Sequence, residues 1–152
     1  LPLDCHPEIG NNVTLGRLMG IVNPRPIDPK DPTLPLFFGE LSESVSLQQF
    51  GRSLGDLLSR VPLTVGKGMV KRVIWCTGAG QGYIEQAASF GADVFVTGEV
   101  SEQTVHVARE CGLGFIGAGH HATERYGVQA VGDLLESELG CRHQFIDIEN
   151  PA

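Results

Sequence analysis

Apolar and polar residues alternate with different periods along the chain, and each change of period marks an element. Residues 1–12 read as an extended piece entering a loop, with Gly10-Asn11-Asn12 as a turn signal. A short helix is expected over 13–19. The stretch 22–35 carries five prolines, Pro24, Pro26, Pro29, Pro32 and Pro35. That predicts a loop or a sheet edge, because proline removes ladder donors. Residues 36–41 are apolar and suit a strand. Ser46 followed by Gln49 forms a capping box, after which Leu47, Phe50, Leu54, Leu57 and Leu58 recur at helical spacing. That helix should stop near Arg60, ahead of Val61-Pro62.

From residue 70 the pattern is regular. A buried-type strand over 70–76 is followed by Gly78-Ala79-Gly80-Gln81-Gly82 and a helix to about Phe90, closed by Gly91. A second strand is expected over 93–96, a helix over 101–111 closed by Gly112, and a third strand over 113–116. A last helix runs to about Leu139, with Val128, Val131, Leu135 and Leu139 as its buried stripe. A final strand is expected over 145–148. Strands alternating with helices of this length predict an α/β fold with a mostly parallel sheet built from βαβ units. No internal repeat is present.

The chain has 152 residues, 41% hydrophobic and 19% charged, enough for one core. Its net charge is −7 and its densest basic cluster is only Lys67-Gly68-Met69-Val70-Lys71-Arg72, so there is no clear nucleic-acid footprint. No apolar run approaches the ~18 residues of a membrane span. The start, Leu1-Pro2-Leu3-Asp4, has neither the features of an export signal nor an initiator methionine. A fragment of a cytoplasmic protein is the expectation. Cys5, Cys76, Cys111 and Cys141 are spread singly, which supports neither a zinc knuckle nor disulfides. Cys76 and Cys111 lie in apolar segments and are expected to be small buried hydrophobes.

The richest chemistry lies in Gly117-Ala118-Gly119-His120-His121-Ala122-Thr123-Glu124-Arg125-Tyr126-Gly127, where a strand gives way to a helix. If the helix begins near His120, then His120 and Glu124 share one face. An imidazole and a carboxylate so placed are half of a site for a divalent transition metal. The alternative is a first helical turn of solvated polar residues. His121 diverges from that face by roughly 100° and suits a supporting or substrate-facing role. Gly78-x-Gly80-x-Gly82 invites nucleotide binding, yet it is not G-x-G-x-x-G and no acidic residue follows in the usual place. Glycines that let a helix start close to a sheet explain it as well. Glu99 lies past the carboxyl end of a strand, where α/β sheets bind ligands, or else compensates a helix dipole beside Ser101. Asp4 and His6 fall on one side of an extended segment, or else are a turn-forming Asp and a solvated His. His106 and His143 read as packing or surface residues.

Several motifs resemble one family. Leu1-Pro2-Leu3-Asp4-Cys5-His6-Pro7-Glu8-Ile9-Gly10-Asn11-Asn12 is similar to the L-P-L-D-x-H-P-x-x-G-N-N motif of the NIF-three-like dinuclear-metal-centre proteins (YbgI-type), often named GTP cyclohydrolase 1 type 2 homologues. The segment from Val96 to Thr104, the G-H-H-A-T-E-R core from Ala118 to Gly127, and the ending Phe145 to Ala152 resemble the same family in the same order. The resemblance spans the chain.

The resemblance implies a divalent-metal centre of two ions, with Asp4, His120 and Glu124 among the ligands. In the family the ions lie between two α/β domains, and the proteins form toroidal hexamers. The remaining ligands are an adjacent His-His pair in an H-H-G motif of the amino-terminal half and a histidine preceding L-P-L-D. Neither is in this chain, and His120-His121, followed by Ala122, belongs to the later motif. The implied layout is the second domain over residues 1–115 and, over 116–152, a closing segment that completes the first domain and exposes apolar surface without it. Asp4, His120 and Glu124 alone would hold at most one ion, and the chain by itself is expected to be inactive. The implied activity is that of a metal-dependent hydrolase acting on a nucleotide or another small molecule, with His121 or Glu99 relaying protons. The alternative is a non-catalytic metal-binding hexameric scaffold or interaction module. Mixed nitrogen and oxygen ligation suits several ions and does not distinguish iron, zinc, manganese or magnesium.

Overall fold

A computed structural model describes residues 3–31 and 33–150. Leu1, Pro2, Pro32, Pro151 and Ala152 lie outside the described residues; they carry the start of the first motif, one proline of the proline-rich stretch and the end of the last motif.

In chain order the elements are α1 (Asn11–Leu18), β1 (Val22–Pro26), β2 (Phe37–Ser46), α2 (Leu47–Leu58), β3 (Leu63–Val65), β4 (Met69–Cys76), a turn of 3-10 helix (Gln81–Tyr83), α3 (Ile84–Ser89), β5 (Val94–Thr97), α4 (Glu102–Cys111), β6 (Gly114–Gly117), α5 (His120–Glu124) and α6 (Tyr126–Leu139). Among the described residues six strands form one sheet in the order β1-β2-β4-β5-β6-β3. β4, β5 and β6 run parallel, joined through α3 and α4 as the βαβ pattern requires. The β1–β2, β2–β4 and β3–β6 pairings are antiparallel, so the sheet is mixed rather than mostly parallel. The parallel part is what a helix-spaced strand pattern reveals; the flanking strands pair across the sequence and leave no such signal.

Alternation along the central strands divides the core. Val73, Trp75, Val94 and Val96 face α1 and α2 with Leu15, Phe37, Phe50 and Leu54. Ile74, Cys76 and Phe95 face the other way, with Ile84, Ala87, Ala108 and Phe115 beneath α3 and α4. Both faces are therefore covered, as a parallel centre demands. Trp75 fixes its place with its indole N–H, which donates to the Asn12 carbonyl at 2.8 Å.

Helix starts and stops follow local chemistry. Ser46 accepts from the Gln49 amide at the start of α2, and Ser101 and Thr104 make a reciprocal capping box on α4. Gly112 closes α4 in the left-handed region, at φ 64°. The proline-rich stretch supplies the edge strand β1, with a bulge between Val22 and Arg25.

Several expectations are corrected. β3 is an extra strand, too short between Pro62 and Gly66 to show a period. β2 runs on to Ser46, because Glu40, Glu43 and Ser42 sit at exposed positions that make it look like a loop. Asn11 and Asn12 open α1 rather than form a turn. The single helix expected after the third strand breaks at Arg125 into α5 and α6. The expected buried stripe of α6 is largely exposed (Val128 54%, Leu135 44%, Leu139 68%), while Gly127 and Gly132 are buried. No strand forms over 145–148. Cys111 is exposed, whereas Cys76 is buried. α6 packs along α1. Among the described residues no helix is long and apolar enough to cross a membrane.

Candidate functional site

The carboxyl ends of β4, β5 and β6 each run into a glycine-containing loop, and the three loops are stitched together. The Gly98 amide donates to the Gly78 carbonyl at 2.9 Å, the Ala118 amide to the Thr97 carbonyl at 2.7 Å, and the Gly119 amide to the Gly98 carbonyl at 2.9 Å. Thr97 Oγ1 donates to the Gly78 carbonyl and accepts from the Gly80 amide. Thr123, one turn into α5, accepts from the Gly78 amide at 3.0 Å. Side chains leaving these loops are thus held on rigid backbone at the end of the sheet where ligands of α/β folds bind.

His120 stands at the centre, bracketed by two carboxylates. Its Nδ1 lies 2.6 Å from Glu99 Oε1 and its Nε2 lies 2.9 Å from Glu124 Oε2. Glu99 is held in turn by Gln81, whose Nε2 donates to Oε2 at 3.0 Å. The hydrogen bond from Glu99 raises the His120 pKa, helped by the Glu124 charge and opposed by partial burial. The reciprocal bond holds Glu99 below the usual carboxylate range. Glu99 is therefore a neighbour of the imidazole, reached through tertiary contact that sequence spacing does not disclose.

His121 points elsewhere. Its Nε2 is buried with no hydrogen-bond partner among the described residues and lies 3.7 Å from Asp147 Oδ1. Asp147 also receives Arg125 Nη1 at 2.7 Å, which ties the irregular carboxyl-terminal segment to the start of α6. Together Arg60, Glu99, His120, His121, Glu124 and Phe145 line part of an open pocket of about 880 Å³.

Asp4 is buried in the turn before α1, where Oδ1 accepts from Asn11 Nδ2 at 2.6 Å. Its backbone carbonyl accepts from Asn12 Nδ2 at 3.0 Å, and Asn12 Oδ1 accepts from the Thr77 amide at 2.9 Å. Asp4 thus sits beside the carboxyl end of β4. Both Asp4 and Glu124 add to burial in raising the Cys76 thiol, burial being the larger cause, up to about 12. Among the described residues no three His, Cys, Asp or Glu side chains gather as a group that could hold an ion. Glu99 and Glu124 take opposite edges of the imidazole, so they do not converge.

His6 serves its own turn, accepting from the Glu8 and Ile9 amides. His106 faces Glu102 on the surface of α4, and His143 meets Asp133 on α6. Four site residues escape sequence reasoning: Asn11, Asn12, Gln81 and Thr123. The asparagine pair is visible only as a turn signal; Gln81 and Thr123 carry no pattern of their own.

A family model described as Duf34/NIF3 (NGG1p interacting factor 3) matches residues 1–151. A Pseudomonas aeruginosa protein named GTP cyclohydrolase 1 type 2 homolog is 53% identical over 153 residues, spanning 100% of this chain and 61% of the relative. An Escherichia coli protein of the same name is 48% identical, again over 100% of this chain and 61% of its own. The chain therefore spans about three-fifths of the length of these relatives. Among solved structures, protein ybgI, described as of unknown function, superposes with a TM-score of 0.90 at 47% identity, covering 99% of this chain and 60% of that one. TTHA1606 from Thermus thermophilus gives a TM-score of 0.87 at 35% identity, covering 100% and 60%. With its matched span, its relatives and its fold in agreement, the chain belongs to the Duf34/NIF3 family.

Proposed function

We propose that this chain carries part of a divalent-metal centre, with His120 Nε2 and Glu124 as paired ligands and Glu99 as the group that orients the imidazole. The observation that carries the reading is the 2.9 Å separation of His120 Nε2 and Glu124 Oε2, with Nδ1 already taken by Glu99. An imidazole nitrogen and a carboxylate oxygen one helical turn apart are atoms of the kind that would hold a divalent ion. A carboxylate on the far nitrogen of a ligating histidine is the usual outer support, fixing tautomer and ring plane. Asp4, pinned by Asn11 and Asn12 beside the end of β4, is the third candidate ligand. The donor set fits iron, zinc or manganese better than magnesium, which prefers oxygen.

What a divalent ion contributes at such ligands is Lewis acidity, suited to hydrolysis. Among the chain's own groups, Glu99 would hold the Nδ1 proton of His120, and His121, which lines the pocket with Nε2 buried 3.7 Å from Asp147 Oδ1, is the candidate proton relay. Together with the His120–Glu124 pair, the relatives' name, GTP cyclohydrolase 1 type 2 homolog, supports reading the activity as that of a metal-dependent hydrolase acting on a nucleotide or another small molecule. A hexameric ring as a non-catalytic scaffold is the second reading. It is favoured by the exposed apolar side chains around the pocket, among them Ile146 at 71% and Ile148 at 73%.

Calorimetric titration of the metal-stripped chain with Zn²⁺, Mn²⁺ and Fe²⁺ tests the metal reading. Saturable binding that His120→Ala and Glu124→Gln each weaken at least tenfold supports it. Binding unchanged by both substitutions removes it.

A further inference from the structure

The glycine run after β4 is not used by the reading above, and its first member has an unusual neighbour. Gly78 adopts φ +63°, in the left-handed region. A Cβ placed there would overlap Glu124 Oε1, approach Glu124 Cδ to 2.6 Å and reach His120 Nε2 at 3.2 Å. The space that a side chain at position 78 would fill is occupied by the carboxylate that faces His120.

Gly78 itself cannot withdraw. Its amide donates to Thr123 Oγ1, and its carbonyl accepts from the Gly80 amide at 3.0 Å, the Gly98 amide at 2.9 Å and Thr97 Oγ1 at 3.1 Å. Gly98 encloses the same spot from the β5 side, since a Cβ there would lie 2.7 Å from both the Gly78 carbonyl oxygen and His120 Cα. A side chain added at position 78 must therefore displace Glu124 rather than the loop. Gly82, by contrast, has no atom of the described residues within 4 Å of its Cβ position.

We infer that Gly78 is a positioning residue for the His120–Glu124 pair: its missing side chain is the seat that sets the Glu124 carboxylate against His120 Nε2. The same contact argues against a phosphate at this turn, because the open side of Gly78 already faces a carboxylate. The inference rests on the metal reading only where metal affinity is measured.

A double-mutant cycle tests it in the metal-free protein, using Gly78→Ala, Glu124→Ala and the double variant, with Gly82→Ala as control. The left-handed strain that Gly78→Ala introduces is common to both backgrounds and cancels in the cycle. The expected result is that Gly78→Ala lowers the folding equilibrium constant at least tenfold more when Glu124 is present. The ring ¹⁵N shifts of His120 should also move in Gly78→Ala at Nε2 more than at Nδ1, and Gly82→Ala should leave both unchanged. If Gly78→Ala does not fold, recovery of folding in the double variant supports the inference. Equal losses in both backgrounds, or failure of both variants to fold, overturn it, because backbone strain alone then accounts for the glycine. Zn²⁺ titration of the same variants separates the two readings: Gly78→Ala should bind at least tenfold more weakly than wild type. A wild type that binds no Zn²⁺ removes the metal reading, while the cycle still decides the role of Gly78.

Discussion

Glu99 Oε1 lies 2.6 Å from His120 Nδ1, and this contact turns the opposite edge of the imidazole to Glu124. The two residues come from different loops, one after β5 and one after β6, so the sheet itself sets the pair.

Glu99→Gln removes the charge that keeps the His120 proton. His120 titrates above its ordinary value in the folded chain, chiefly because of the Glu99 hydrogen bond. The pair's contribution to stability is therefore complete below a pH of about 6.5, the unfolded value, and is lost as pH rises through the folded value. The imidazole is substantially exposed, so the effect is screened. Proton NMR of His120 should show a lower midpoint in Glu99→Gln, with the stability difference from wild type larger at pH 6 than at pH 9. An unchanged midpoint would contradict the assignment.

Metal affinity should depend on pH with the opposite sign. His120 must lose a proton to ligate through Nε2, so affinity should rise with pH until the raised His120 value is passed and then level off. Zn²⁺ titrations between pH 5.5 and 8.5 check this, and each binding event at the acid end should release a proton to the buffer. Glu99→Gln should weaken binding by about 10–100-fold, the range for loss of an outer-sphere carboxylate.

Asn12→Ala strikes the joint between α1 and the sheet. Asn12 is fully buried, accepts from the Thr77 amide and donates to the carbonyls of Asp4 and Pro35. Removing the side chain leaves the Thr77 N–H buried without its acceptor, at a cost of about 1–3 kcal/mol. Urea denaturation should show that loss. A change within ~0.5 kcal/mol, the range of an indifferent surface site, would mean that the Thr77 amide finds another acceptor.

The cysteines should divide by reactivity. Cys111 and Cys141 are exposed and should react promptly with a thiol reagent at neutral pH. Cys76, buried and pushed up to about 12, should react only when the protein unfolds. Mass spectrometry of the labelled native chain reads this directly, and prompt labelling of Cys76 would place it outside the core.

What is legible in the sequence is what is local. The apolar runs of β4, β5 and β6, the Ser46 cap of α2 and the left-handed glycine after α4 all follow from neighbours in the chain. The antiparallel partnership of β2 with β4 joins segments some thirty residues apart and has no local signature. Periodicity in α6 marks an apolar stripe but not whether anything covers it, which is why Val128 and Leu139 prove exposed. The site divides the same way. His120 and Glu124 meet because they are one helical turn apart, whereas Glu99, Gln81 and Gly78 join them only through the alignment of parallel strands.

The most direct test of the central claim is paramagnetic broadening by Mn²⁺ in the metal-free protein. Substoichiometric Mn²⁺ should first broaden the resonances of His120, Glu124 and Asp4, followed by those of Gly78, and His120→Ala should abolish the effect. Broadening that is spread over the acidic surface, or that persists unchanged in His120→Ala, would contradict a metal site at this pair.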